Sequence, residues 1–193
     1  MASNPISKIT EEQYLALDRA AEMRSEFVDG EMFAMSGGTN RHGRIQRNLI
    51  VELGVALEDS TCEPFGSDSR VKLSNRAYVY PDVTVVCGEQ QVVADDDDIL
   101  VNPVAIFEVL SPSTEKYDRG LKFQLYLTVD SLKEYVLVNQ DQFRIERFTR
   151  QADGTWTLRE YQGMDEALNI DVIGATLPLR RIYRRVSITA PTN

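Results

Sequence analysis

Two acidic residues have the wrong neighbours for solvated charges. Glu108 lies within Val104-Ala105-Ile106-Phe107-Glu108-Val109-Leu110, a run whose apolar, β-branched and aromatic content reads as a buried strand. Alternation along that strand sets Glu108 on one face with Val104, Ile106 and Leu110. Asp82 follows Pro81 in Tyr78-Val79-Tyr80-Pro81-Asp82-Val83-Thr84-Val85-Val86. That is a second strand pattern, in which proline marks an edge, a start or a bulge, and Tyr80, Asp82, Thr84 and Val86 share one face of it. A carboxylate in apolar surroundings costs several kcal/mol unless it is paired, metal-bound or protonated. The two acids are 26 residues apart, room for one strand, a loop and a neighbouring strand. If the strands pair, both carboxylates meet at a strand end, where their repulsion raises a pKa or recruits a cation. Oxygen ligands alone favour Mg²⁺ or Mn²⁺ over zinc. An ion held this way can bind a phosphodiester and activate water against it.

Other chemistries fall by subtraction. His42 is the one histidine of the chain, so zinc hydrolases built on histidine clusters, and nucleases needing several histidines, cannot be assembled. No Cys-x-x-Cys pair, Gly-x-Ser-x-Gly elbow or phosphate-binding glycine loop occurs. Cys62 and Cys87 are isolated in the sequence and read as reduced thiols. A net charge of −9 argues against tight, metal-free binding of nucleic acid. A hydrophobic fraction of 42% with 26% charged residues over 193 positions fits one soluble globular domain spanning residues 1–193. No apolar run approaches the roughly 20 residues of a membrane span, and no secretory h-region opens the chain. The expectation is a cytoplasmic protein without membrane contact.

The elements that must position these residues are read from periodicity. Thr10 and Gln13 have capping-box spacing ahead of a helix to about Ala21, with Tyr14 and Leu17 as its apolar stripe. Asp29-Gly30 between apolar runs predicts a hairpin over Glu26–Met35, and Ser36–Asn40 a loop. Ile45, Leu49, Leu53 and Leu57 recur every four residues and predict a helix over about 41–57, with His42 near its start. Glu63 to Gly88 reads as two strands around a turn at Ser74–Arg76, and Ala94–Asp98 as a solvated loop. Beyond the Glu108 strand, a helix over about 115–129 lines Asp118, Lys122 and Tyr126 on one face, with Leu121, Phe123 and Leu125 as its packing residues. Taken alone, Asp118 and Lys122 read as an exposed ion pair. Glu134–Val138 is another buried strand, and Asp153-Gly154 turns a hairpin between residues 143 and 161. The stretch 180–185 is basic, and residues 186–193 read as a disordered tail.

Pro81-Asp82 followed by Glu108-Val109-Leu110 resembles the PD-(D/E)XK signature of restriction-endonuclease-like nucleases. The wider pattern is more specific: Glu108-Val109-Leu110-Ser111-Pro112-Ser113-Thr114, then Asp118, Lys122, Tyr126 and Glu134-Tyr135. Together with Glu26–Glu31 and His42-Gly43-Arg44-Ile45, it is similar to the Uma-two family of restriction-endonuclease-like proteins over about residues 10–185. The resemblance implies an α/β (α+β) restriction-endonuclease-like fold, a central mixed β-sheet flanked by helices with extra N-terminal and C-terminal β-hairpins. It also implies a DNA endonuclease using Mg²⁺ or Mn²⁺ held by Asp82, Glu108 and the Val109 backbone carbonyl. The superfamily lysine two residues after the glutamate is missing, since Leu110 stands there. The family pattern answers with a lysine on the following helix, and Lys122 matches it as the third catalytic residue. Asp118 would orient Lys122, and His42 or Glu26 would be accessory groups. Val136 and Asn139 depart from the pattern at an aromatic and an acidic position.

Three readings stand at this point. One is an active endonuclease, plausible as a homodimer because two sites suit two strands of a duplex. Another is a catalytically silent nucleic-acid-binding or regulatory module. The third is a purely structural pairing of Glu108 with Lys122, with no metal affinity.

Overall fold

Local chemistry starts the chain as expected. A computed structural model describes residues 8–188 apart from 36, 75 and 95. Helix α1 (Glu11–Ala20) opens with the reciprocal Thr10–Gln13 capping box, which satisfies two amides that the first turn would leave orphaned. Strands β1 (Ser25–Val28) and β2 (Glu31–Ala34) form a hairpin. Its two turn residues, Asp29 and Gly30, both have positive φ, 53° and 91°, the combination that matches the twist of the flanking strands. Helix α2 (Asn40–Ala56) is capped by Thr39, whose hydroxyl accepts from the His42 amide. Ile45, Leu49, Leu53 and Leu57 are all buried along it.

Seven strands follow: β3 (Cys62–Gly66), β4 (Arg70–Ser74), β5 (Ala77–Val79), β6 (Val83–Cys87), β7 (Val92–Val93), β8 (Asp96–Leu100) and β9 (Ala105–Leu110). Then α3 (Glu115–Tyr117) runs through a π-helical turn (Asp118–Lys122) into α4 (Phe123–Leu127). The chain closes with β10 (Glu134–Asn139), β11 (Arg144–Arg150), β12 (Trp156–Gln162), β13 (Ala167–Ile170), β14 (Ala175–Pro178) and α5 (Leu179–Ile182).

The central sheet has the order β12-β11-β10-β9-β6-β3 and is mixed: β9 and β10 run parallel, the other neighbours antiparallel. The parallel pair needs a crossover, and the α3–α4 helix supplies it. A second six-stranded sheet has the order β2-β1-β5-β4-β8-β7, and β13–β14 form a small third one. Strand β9 feeds two cores. Phe107 and Val109 join Leu49, Leu53, Val83 and Val85 in the cluster under α2, while Ile106 and Leu110 join Val71, Val79, Tyr126 and Leu137 in the other. Glu108 therefore projects among the second set. Among the described residues no helix is long and apolar enough to cross a membrane.

Several expectations need correction. The run from Tyr78 to Val86 is not one strand: β5 belongs to the second sheet and β6 to the central one, and Tyr80-Pro81-Asp82 makes the crossing. Proline lacks the ladder donor, so the change of sheet falls where a ladder bond is missing anyway. The stretch from Glu63 to Gly88 accordingly holds four strands. Val104 precedes β9 and packs against the α2-side cluster instead of sharing the Glu108 face. Asp96–Leu100 is a strand, and Asp96 is paired with Arg19. Cys62 and Cys87 stand opposite each other in the β3–β6 ladder and form a disulfide. Leu17 and Leu121 point outward, at 52% and 39% exposure, while Asp18 is buried in Leu17's stead. Val186 is buried and Ile188 packs against the α2-side cluster, so the ordered chain continues past 185; residues 189–193 lie outside the described residues.

Candidate active site

Asp82 and Glu108 are brought together by register. Strands β6 and β9 pair antiparallel with Val83 opposite Phe107, so Asp82, one residue before β6, falls beside Glu108. Asp82 Oδ2 accepts the Val109 amide at 2.7 Å, and its Oδ1 lies 2.9 Å from His42 Nε2. Gln46, one turn beyond His42 on α2, donates to the Asp82 backbone carbonyl at 3.2 Å. The first turn of α2 thus holds the aspartate from two directions. Burial disfavours the charged form of His42, but the hydrogen bond and charge of Asp82, with Asp118 and the Val109 carbonyl, outweigh it and raise the imidazole pKa.

Glu108 sits deeper, at 4% exposure in β9. Its Oε1 accepts the Tyr126 hydroxyl at 2.7 Å and pairs with Lys122 Nζ at 2.8 Å. Lys122 also meets Glu26 at 2.9 Å and Asp118 at 3.9 Å. The expectation of an exposed Asp118–Lys122 pair is overturned, because both residues are buried. A lysine can be buried when carboxylates replace its water, and here three do so. Burial opposes the ammonium, yet Glu108, Glu26 and Asp118 keep its pKa well above the lysine range. The acids bear the converse. Burial, with Asp118, Asp82 and Glu26 nearby, pushes the Glu108 carboxyl up to about 8 against the pull of Lys122. Burial likewise raises Asp118.

Four carboxylates, Glu26, Asp82, Glu108 and Asp118, therefore share one lysine and one histidine. Fully ionised, the four would carry more negative charge than these cations neutralise; the raised Glu108 and Asp118 carboxyls relieve that excess by holding protons, and a bound divalent ion would relieve it in their place. The donor chemistry suits a hard cation: carboxylate oxygens and the Val109 carbonyl. The ion's place is not preformed, since among the described residues no three histidine, cysteine or acidic side chains converge as a metal cage. Lys122 occupies Glu108, and His42 and the Val109 amide occupy Asp82. Binding would exchange some of these contacts. The Asp82–His42 end reaches solvent, with side chains 14% and 17% exposed, whereas Lys122, Glu108 and Glu26 are closed in at 5–7%.

All six residues singled out from the sequence fall in this one cluster. Two contributors were missed. Gln46 is four residues from His42 on the same helical face, a spacing that could have flagged it. Tyr126 was placed on the right face without a partner, because its bond to Glu108 depends on the β9–α4 packing.

The arrangement is that of a restriction-endonuclease-like protein: a mixed sheet flanked by helices, with paired acids at the break between two strands. Known proteins bear on the family and the fold. Residues 11–180 match the model of the Uma2 family, described as "Putative restriction endonuclease", and the chain belongs to that family. It is 34% identical over 183 residues to "Uncharacterized protein slr1290" of Synechocystis sp. (strain ATCC 27184 / PCC 6803 / Kazusa), covering 94% of this chain and 95% of the relative. A second protein of that strain, "Uncharacterized protein sll1609", is 34% identical over 156 residues, 80% of this chain and 88% of its own. Among solved structures, a "putative nuclease belonging to DUF820" from Anabaena variabilis ATCC 29413 superposes with a TM-score of 0.75 at 16% identity, covering 91% of this chain and 97% of that one. At that identity the likeness speaks to the fold.

Proposed function

We propose that this chain is a divalent-cation-dependent nuclease that hydrolyses phosphodiester bonds in DNA. The observation that carries the reading is the meeting of Asp82, at the entry to β6, with Glu108 of β9, with Lys122 delivered from the helix that follows. The description of the family and that of the structural neighbour, both in nuclease terms, support it. Asp82, Glu108 and the Val109 carbonyl would hold Mg²⁺ or Mn²⁺, which supplies a Lewis acid for the phosphodiester when bound. Lys122 stays protonated among its acids, so its part is electrostatic: it positions the attacking water and offsets charge on the phosphorane. Asp118 and Glu26 hold that ammonium in place. His42 and Gln46 hold Asp82, and His42 is the group nearest to solvent able to carry a proton away. Lys116, two residues before Asp118, is an exposed cation in a chain that is acidic overall.

The test is nicking of supercoiled plasmid with Mg²⁺ or Mn²⁺. Wild type should cut, and Asp82→Asn, Glu108→Gln and Lys122→Met should each lose about a hundred-fold or more. Clean protein that cuts nothing with either metal would sink the proposal. The direct Lys122–Glu108 pair favours a second reading, a closed structural charge cluster. That reading requires Mn²⁺ to leave the melting temperature unchanged, whereas a metal site requires it to rise with Mn²⁺ concentration.

A further inference from the structure

Phe33 is the most exposed aromatic side chain among the described residues, at 37%. It lies on β2, an edge strand, and its cross-strand partner is Glu26. Cross-strand partners share a face, so the ring stands beside the carboxylate that grips Lys122 at 2.9 Å. Behind it stacks Tyr117, with ring centroids 5.7 Å apart and planes 29° from parallel. Tyr117 in turn lies over the Lys122 ammonium, 5.8 Å from Nζ to the ring centre. A two-ring stack thus runs from solvent to the lysine of the acidic cluster, and Lys116 next to Tyr117 adds an exposed positive charge. None of the other large exposed apolar residues among those described is aromatic.

An exposed π-face held from behind has already given up its rotational freedom, so a partner ring can stack on it at little entropic cost. In a paired duplex the base faces are used by their neighbours; an unpaired base offers one. The chemistry also fits the charge, because stacking grips a strand without relying on phosphate attraction, which a net charge of −9 opposes. We propose that Phe33, backed by Tyr117, is a stacking platform for an unpaired nucleobase beside the phosphodiester presented to Asp82 and Glu108. The preferred substrate is then a single strand, a flap or a mismatched stretch in place of a fully paired duplex. This rests on the nuclease reading above for the position of the phosphodiester.

The test measures anisotropy of a fluorescein-labelled mixed-sequence DNA strand and of its blunt duplex, with Ca²⁺ in place of Mg²⁺. Wild type should bind the strand more tightly than the duplex. Phe33→Ala should weaken strand binding roughly ten- to hundred-fold, the range that loss of one base–aromatic stack implies, with its far-UV circular dichroism unchanged. Phe33→Trp should keep the affinity, and its added indole fluorescence should be quenched by the strand. Phe33→Leu, which keeps the apolar cover without a π-face, should behave like Phe33→Ala. Equal binding of strand and duplex by wild type, binding of neither, or wild-type affinity in Phe33→Ala or Phe33→Leu would each overturn the platform. A parallel cleavage assay with Mg²⁺ and Mn²⁺ separates the two ideas. Phe33-dependent strand preference without cleavage removes the nuclease reading alone; cleavage indifferent to Phe33 removes the platform alone.

Discussion

At the scale of single residues, the cluster is held together by partners that cannot be removed one at a time. Lys122 satisfies three carboxylates at once, so Lys122→Met strands buried negative charge. It should destabilise the protein by about 3 kcal/mol or more, the usual cost of breaking a buried pair from one side. The double variant Lys122→Met with Glu108→Gln should recover part of that loss in urea melts, since the glutamine leaves no charge to orphan. His42 gives a direct probe, because a chain with one histidine has an unambiguous imidazole resonance. Its NMR titration should run above the ordinary 6.5, and Asp82→Asn should bring it down, as burial then meets only Asp118 and the Val109 carbonyl. Gly38 bears on the same contact. A Cβ added there would lie 2.9 Å from the His42 ring, so Gly38→Ala should disturb that titration without touching either carboxylate.

At the scale of elements, much of the frame could be read from the residues, and the misses share a cause. The α2 helix was visible in Ile45, Leu49, Leu53 and Leu57, since a four-residue apolar repeat has one good solution. Leu49→Ala, at a fully buried position, should cost about 2–5 kcal/mol by denaturant melts. Glu108 was visible because its strand could not otherwise be explained. The break at Pro81 was not, since Tyr78-Val79 and Val83–Val86 are equally good strand sequences and nothing local says that they join different sheets. Taking Asp118 and Lys122 for the wet face of their helix likewise turned Leu121 inward; the charged stripe in fact points in. Asp18 belongs with these surprises. It ends α1 as a buried acid bonded to Arg70, Tyr80 and the Ser25 amide. Burial alone would raise its pKa, but those partners lower it below 3.8. A lowered folded pKa contributes stability that is whole above the ordinary value and drains away as pH falls through the folded one. Asp18→Asn should therefore be less stable than wild type near neutrality and show a flatter acid limb when urea midpoints are measured against pH.

At the scale of the molecule, the two sheets meet the crossover helix around one buried charge cluster, and β6, the strand that Asp82 leads into, is fixed at both ends. One end is the sheet crossing; the other is the Cys62–Cys87 disulfide. Two cysteines 25 residues apart carry no sign of being opposite in a ladder, which is why the sequence read them as free. Closing a loop of that size should contribute about 3 kcal/mol by restricting the unfolded chain. Cys62→Ser with Cys87→Ser, or wild type under reductant, should lose stability on that order in urea melts. Light scattering bears on the assembly: two-strand cutting suits a pair of copies, whereas cutting beside an unpaired base needs only one.

The π-helical turn from Asp118 to Lys122 has an evolutionary consequence. Such a turn closes from i to i+5 and so carries one residue more than the α-helical turn it replaces. The wider turn absorbs that extra residue, so deleting one, Gly120 for instance, would restore ordinary helix with the residues beyond it close to their present facing. Asp118 and Lys122 would then stand three residues apart instead of four, and an α-helix places both spacings on one face. Loss of one codon here is thus a change that the pairing of Lys122 with Glu108 can outlast. Relatives one residue shorter in this helix can hold the same constellation, whereas the same deletion in the α-helical turn that follows would turn Tyr126 away from Glu108.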